Sequence, residues 1–340
     1  MEVITSHSQK GDPTSVLTQK IFADFNGGKD FPQLCLNLLL DQKSAWHDLR
    51  EGCESLKNVR ERDLLCKGFS IRLQLNPGRI KSSLADVSQR NANKRPCFLC
   101  LEHLPQEQKG VLYRSEYLIL CNPMPILSSH FTVSHLDHRL QAIAEHIGTF
   151  LQLMVDLGPG WVILYNGPKC GASAPEHLHF QAARSGQMPI EKEIREGERL
   201  ALVKEIDDVL LYRLNNLGRE AILLEGSDPI AVERAFKGFL NGLQNALLLN
   251  EEPMINIVGL YEERTWRLIV FPRRKHRPDV FSKEGVDRVV VSPGAIDMGG
   301  LVITPVEKDF ERLDGTAVEG IYKEVSLEGD IAEKAINTIS

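Results

Sequence analysis

Apolar and polar positions along this chain follow two periods, and each period predicts an element. Over residues 15–70 apolar residues recur every three or four positions in "SVLTQKIFADF" and "DFPQLCLNLLLDQKSAWHDLREG", which predicts helices. A strand-like "FSIRLQLNPGRI" follows, and the polar "KSSLADVSQRNANKRP" reads as a connector. From Pro96 the pattern is mixed. "GVLYRSEYLILCNP" and "HFTVSH" predict strands. "QAIAEHIGTFLQLMVDLGPG" predicts a helix with Ile143, Ile147, Phe150, Leu151 and Met154 on one face, ended by Gly158-Pro159-Gly160. "WVILYN" and "HLHFQAA" are two further short strands.

A weaker copy of this order comes later. "VERAFKGFLNGLQNALLL" repeats the amphipathic helix, "MINIVGLY" matches "WVILYN", and "TWRLIVFPRR" stands where "HLHFQAAR" stood. The intervening loop shrinks to about "EER", and the polar positions become Arg267, Ile269 and Phe271. The pattern reads as an internal duplication in which the first copy kept the chemistry. The tail from Asp309 to Ser340 reads as surface helix, and "SPGAIDMGGLVITP" as a turn-rich loop between apolar strands.

Composition narrows the class. The chain has 340 residues, 42% hydrophobic and 25% charged, with a net charge of -6. That suits a globular protein with a sizeable core and argues against nucleic acid as a partner. No apolar run approaches the roughly 20 residues a membrane helix needs, and "MEVITSHSQKGDPTS" lacks the order of a signal peptide. The expectation is a cytoplasmic protein with no membrane partner. Seven cysteines form no disulfide framework in such a setting. Cys35, Cys53, Cys66, Cys121 and Cys170 sit among apolar or small neighbours and read as core filling. Cys97 and Cys100 form the one close pair, in "CFLC", which is a redox pair, a zinc half-site or two packing cysteines.

The chemistry concentrates in "NGPKCGASAPEHLHFQAA". In an extended strand His177, His179 and Gln181 project together, while Leu178 and Phe180 face the core. A wet strand face would look the same. The preceding loop adds Gly167 and Gly171, which let backbone N–H groups approach an anion, and Asn166 and Ser173, which add side-chain donors. A phosphate cradle beside a neutral imidazole suits attack on phosphorus. An amide at position 181 cannot titrate. The site therefore suits leaving groups and acceptors that are already phosphates, which favours a transferase or phosphorylase over a hydrolase.

"HLHFQ" with its small-residue loop, together with "PCFLC" and "NPMPILSSHFTVSHLDH", resembles the histidine-triad/galactose-1-phosphate uridylyltransferase superfamily. Within it, the H-x-H-x-Q branch of diadenosine polyphosphate phosphorylases (ATP adenylyltransferases) and GDP-hexose phosphorylases is the nearest pattern. The resemblance implies an α+β fold of two fused repeats with an antiparallel sheet and packed helices, plus an N-terminal helical extension. It divides the chain into an extension and connector (1–95), a catalytic repeat (96–200), a degenerate repeat (201–283) and C-terminal strands and helix (284–340).

The resemblance also implies roles. His179 would attack the α-phosphorus of a nucleotide or nucleotide-sugar, and a phosphate-bearing acceptor would then take the nucleotidyl group. Gln181 would bond a phosphate oxygen. Cys97, Cys100, His138 and His177 would hold a structural zinc ion, with His135 and His103 as competing ligands. Asn76 and Arg79 match the family's N-terminal nucleotide-contacting segment, or form an ordinary Asn-Pro-Gly turn. Asn122 lies where a ribose-binding residue is usual, or caps a turn. Arg273, Arg274, Lys275, His276 and Arg277 bind a distal phosphate or acceptor, or form a solvated face. The chain departs from the uridylyltransferases at Leu178, where they usually have proline, and at Glu176, with the proline moved back to Pro175. That shift puts the phosphate role of Ser173 in question, and the second repeat lacks a histidine pair. A homodimer, a nucleotide-binding protein without turnover, a hydrolase and a redox protein using Cys97 and Cys100 all stay open at this level.

Overall fold

A computed structural model describes residues 13–84 and 96–339; residues 1–12 and most of the polar connector lie outside the described residues. The strands are β1 (Ile21–Phe25), β2 (Arg60–Leu65), β3 (Ser70–Leu75), β4 (Gly110–Tyr113), β5 (Tyr117–Cys121), β6 (Phe131–His135), β7 (Trp161–Asn166), β8 (His179–Arg184), β9 (Leu200–Ile206), β10 (Val209–Leu214), β11 (Ile222–Gly226), β12 (Ile255–Glu262), β13 (Thr265–Pro272) and β14 (Leu301–Thr304). Eleven of them form one sheet in the order β1-β4-β5-β6-β8-β7-β12-β13-β11-β10-β9.

That order contains the same five-strand unit twice. β4, β5, β6, β8 and β7 make the first copy, and β9, β10, β11, β13 and β12 make the second. The copies join through antiparallel pairing of β7 with β12, with Asn166 opposite Asn256. Each copy carries one long helix between its third strand and its next, Ile147–Leu157 in the first and Pro229–Leu247 in the second. The sequence exposes only the helix-strand-strand part of the repeat. The three leading strands of each copy share no residues that announce their equivalence. The result is a mixed α+β fold of two fused repeats, preceded by the helices Phe31–Ala45 and His47–Lys57.

Strand alternation divides the core. Leu178, Phe180 and Ala182 pack with Ile163, Tyr165 and the two long helices. Ala183, Ile269 and Phe271 face the opposite side, toward a three-stranded sheet, β14-β3-β2, and the C-terminal helices. The periodicity places His179 and Gln181 on this second side. At equivalent positions the second repeat has Ile269 and Phe271, both buried, so apolar packing replaces polar chemistry there.

Three expectations change. "IFADF" is the strand β1, not the end of a helix; it pairs in parallel with β4 and covers that sheet edge. The N-terminal helix breaks at Trp46, which is extended (φ -116, ψ 113) and buried. The tail is not a surface helix: Val318, Ile321, Tyr322 and Val325, spaced along Gly315–Val325, are buried in the second core. Among the described residues, no helix is long and apolar enough to cross a membrane.

Candidate active site

His179 opens β8 and is 2% exposed. Its Nδ1 lies 2.8 Å from the carbonyl oxygen of His177, so Nδ1 carries the proton and donates it. Nε2 is then the bare nitrogen, and it has no hydrogen-bond partner among the described residues. Burial pushes the ring's pKa down to about 4, only partly offset by the His177 carbonyl. The imidazole is therefore neutral at pH 7 and presents a lone pair.

His177 precedes the strand. Its Nε2 lies 2.8 Å from the His135 carbonyl oxygen and 3.2 Å from Ser134 Oγ. Donation to the carbonyl leaves Nδ1 bare, 3.3 Å from Cys97 Sγ and 3.7 Å from Cys100 Sγ. Cys100 Sγ is 3.1 Å from His138 Nδ1. The ligand atoms of Cys97, Cys100, His138 and His177 all lie within 4.8 Å of one another, so these four could hold a metal ion. They are two nitrogens and two sulfurs, a donor set that suits tetrahedral zinc. Burial raises both thiols, Cys100 to about 12, the state a cation would reverse. His135 is not in the cluster, because its Nδ1 accepts the Asp137 N–H at 2.9 Å. His103 falls in a looser group with Cys100 and Glu102.

The small-residue loop is fixed from the second repeat. Asn256 on β12 donates to the Cys170 carbonyl at 2.7 Å and to Asn166 Oδ1 at 2.8 Å. Asn166 Oδ1 also accepts the Ala295 N–H at 2.8 Å, which draws the "SPGAIDMGG" loop against the site. A Cβ at Gly167 would meet the Ile255 carbonyl at 2.9 Å, and Gly171 has φ +107 and lies against Gly294. Only glycine fits either place. The N–H groups of Gly171 and Ala172 have no partner among the described residues, while Ser173 is exposed.

Two residues along the same face of β8, Gln181 sits near His130, a residue not singled out from the sequence. Ile126 donates its N–H to His130 Nδ1 at 3.2 Å, so Nε2 carries the proton. That N–H is buried without a well-formed hydrogen bond. Burial, reinforced by the Arg79 charge, lowers the His130 pKa to about 4, and the nearby Gln181 amide offsets a little of this. Arg79 donates to the Met124 carbonyl at 2.9 Å, and burial lowers its pKa to about 10. Asn76 is buried; it donates to Gln74 Oε1 at 3.2 Å and forms the turn before Arg79. Asn122 caps its own turn by accepting the Met124 N–H at 3.0 Å. Asn122, Gln74 and His130 also line a cavity of about 510 Å³, closed on one side by Leu49, Cys53 and Leu56 of the N-terminal helices.

The basic cluster does not join this group. Arg273 is 1% exposed and its guanidinium is used up on Asn256 Oδ1 and the carbonyls of Pro293, Lys275, His276 and Val325. It has no donor left for a phosphate. Arg274 is exposed and held by the Lys323 and Glu324 carbonyls and by Glu328. For Arg273 the expectation of a distal-phosphate or acceptor contact is corrected: this cation is an anchor for backbone carbonyls.

A family model described as a domain of unknown function (DUF4922) matches residues 38–184. Comparison with curated proteins gives no match. Among solved structures, the chain is similar to yeast Ap4A phosphorylase Apa2 in complex with Ap4A, with TM-score 0.58 and 14% identity over 88% of this chain and 98% of that one. The same yeast protein in complex with AMP gives TM-score 0.56 and 16% identity over 86% and 96%. At this identity the likeness is one of fold.

Proposed function

We propose that this chain, built on the histidine-triad/uridylyltransferase fold, is a nucleotidyltransferase of the phosphorylase kind that works through a nucleotidyl-histidine on His179. The observation that carries this reading is the His179 ring itself, held neutral with Nδ1 tied to the His177 carbonyl and Nε2 bare. The yeast neighbours are complexes with Ap4A and AMP, which supports a nucleotide phosphoanhydride as the substrate class.

In the first step the Nε2 lone pair attacks the α-phosphorus. A P–N bond forms, the bond to the bridging oxygen breaks, and the leaving phosphate departs with that electron pair. In the second step an oxygen of a phosphate-bearing acceptor attacks the same phosphorus and the P–N bond breaks. No proton has to be supplied to either phosphate at pH 7, which fits Gln181 at the third position. Charge developing on the phosphoryl oxygens would be met by the Gly171 and Ala172 N–H groups, Gln181, Arg79 and the orphan His130 Nε2–H. The cavity at Asn122 would take the nucleoside. Asn166 and Gly167 would shape the loop. A zinc ion held by Cys97, Cys100, His138 and His177 would be structural, fixing the backbone that orients His179.

The test is covalent labelling. The protein is incubated with α-³²P-labelled Ap4A, ATP, GDP-glucose and UDP-glucose, quenched in alkali and counted. We expect label from one of these probes in wild type and none in His179→Gly, with release of nucleotide only when phosphate or a phosphorylated acceptor is added. Label that persists in His179→Gly ends the reading, and release by water alone converts it to a hydrolase.

A further inference from the structure

We propose that Gln141 is a positioning residue for His179, a buried amide that replaces one rung of the β7–β8 ladder and thereby sets where the bare imidazole nitrogen points. The activity arm of its test rests on the reading above; the spectroscopic arm does not.

β7 and β8 pair antiparallel up to Leu164 opposite Gln181. Continuing that register by two residues puts Asn166 opposite His179, yet no backbone hydrogen bond joins the two. The Gln141 side chain, 2% exposed, fills the gap. Its Nε2 donates to the Asn166 carbonyl at 2.9 Å and to the His179 carbonyl at 3.0 Å. Its Oε1 accepts the His179 N–H at 2.8 Å. One planar amide thus satisfies both backbone groups of His179 on that side, which are buried, and one of Asn166, which is half-buried. Its own N–H reaches the Pro175 carbonyl at 3.4 Å, in the loop that leads to the histidines.

The consequence is geometric. A direct rung would draw β8 against β7 at His179. The inserted amide spaces the strands by its own width at this point only, while β6 holds His179 opposite Ser134 on the other side. The backbone carbonyl of His177, which fixes the His179 tautomer, is two residues away. Gln141 touches no substrate in this account. It acts through the backbone of His179.

Wild type, Gln141→Leu, Gln141→Glu and Gln141→Asn are compared in two measurements. Two-bond proton–nitrogen correlation on ¹⁵N-histidine-labelled protein, above the imidazole titration range, reports the His179 tautomer; the signal is assigned by its absence in His179→Gly. Wild type should show a single Nδ1–H form. Leucine, which keeps the volume, and asparagine, which is one methylene too short, should give averaged signals. Glutamate keeps the acceptor but sets a carboxylate against two carbonyls, and should do the same or worse. Labelling of protein by α-³²P-Ap4A, or by whichever of the four probes labels wild type, should slow about 100-fold in Gln141→Leu, the scale of a 1 Å misplacement, while the probe's dissociation constant moves less than about threefold.

If Gln141→Leu does not fold, the asparagine and glutamate variants carry the comparison, since each keeps a polar group at the site. Unchanged tautomer signals and unchanged labelling in any folded variant overturn the proposal. If wild type shows the fixed tautomer and the variants lose it, but no probe labels wild type, positioning by Gln141 stands and the nucleotidyltransferase reading falls.

Discussion

His177 and His179 use one device in opposite senses. His177 donates Nε2–H to the His135 carbonyl and bares Nδ1, whereas His179 donates Nδ1–H to the His177 carbonyl and bares Nε2, both at 2.8 Å. The first bare nitrogen points to two thiols and the second to none. A cation between Cys97, Cys100, His138 and His177 would therefore lock the residue whose carbonyl sets the His179 tautomer. We expect purified protein to carry about one zinc per chain by elemental analysis, and chelation or Cys97→Ser to lower Tm by about 5 °C or more. A zinc-free protein that keeps its Tm and its labelling would remove the metal from this account.

In the proposed mechanism, Gln181 would set what the site can eject. A side chain that cannot titrate gives no proton to a departing alkoxide. With phosphate and alkoxide leaving groups compared on one nucleotide, wild type should strongly prefer phosphate. Gln181→His supplies an ionisable ring and should narrow that preference by about 100-fold or more, the usual scale for a general acid. An unchanged ratio would show that another group already supplies the proton.

His130 separates stability from activity. Replacing it by Leu removes a buried N–H without a well-formed bond, which should stabilise, and unpairs the Ile126 N–H, which should cost a similar ~1 kcal/mol. Tm should stay within about 2 °C while labelling falls about 10- to 100-fold, because the donor proposed for the phosphoryl oxygens is lost. A large drop in Tm with labelling intact would make His130 a core residue only.

The local parts of this site were legible in the chain because they follow from short-range rules. Alternation in "HLHFQ" separated Leu178 and Phe180 from His179 and Gln181, and Gly167 and Gly171 announced a loop that a Cβ would block. The resemblance to a known family brought Cys97, Cys100, His138 and His177 into one set, and the fold then brings their ligand atoms together. What spacing could not convey is long-range. Arg273 reads as a surface cation, but Asn256, the Pro293 and Val325 carbonyls and the neighbouring Lys275 and His276 carbonyls bury it. Gln141 and His130 stand in stretches of unremarkable composition and acquire meaning only from β8 beside them. β1 carries a strand's residues, but its helical spacing outweighed them until the edge of β4 was available to pair with.

Acid stability gives an independent check on the buried groups. His276 is half-buried beside Arg273 and Arg277, with Ser292 Oγ 3.2 Å from its Nε2, and burial pushes its pKa down to about 3. The ring is neutral when folded and protonates near pH 6.5 once unfolded. The unfolded chain then binds the extra proton, so this contribution to stability is present above pH 6.5 and is lost as the pH falls toward 3. Glu252, under Tyr165 Oη at 2.5 Å and the Ile143 N–H at 2.7 Å, has the opposite sense. Burial raises its pKa to about 7. The folded state keeps its proton while the unfolded chain releases it near 4.3, so stability is lost as the pH rises from about 4 to 7. Urea melts at a series of pH values should show the free-energy difference between His276→Asn and wild type changing by up to about 1.4 kcal/mol per pH unit below 6.5. The difference for Glu252→Gln should change with the opposite slope between about 4 and 7. Parallel curves for either variant would mean that its side chain titrates in the folded protein much as it does in the unfolded one.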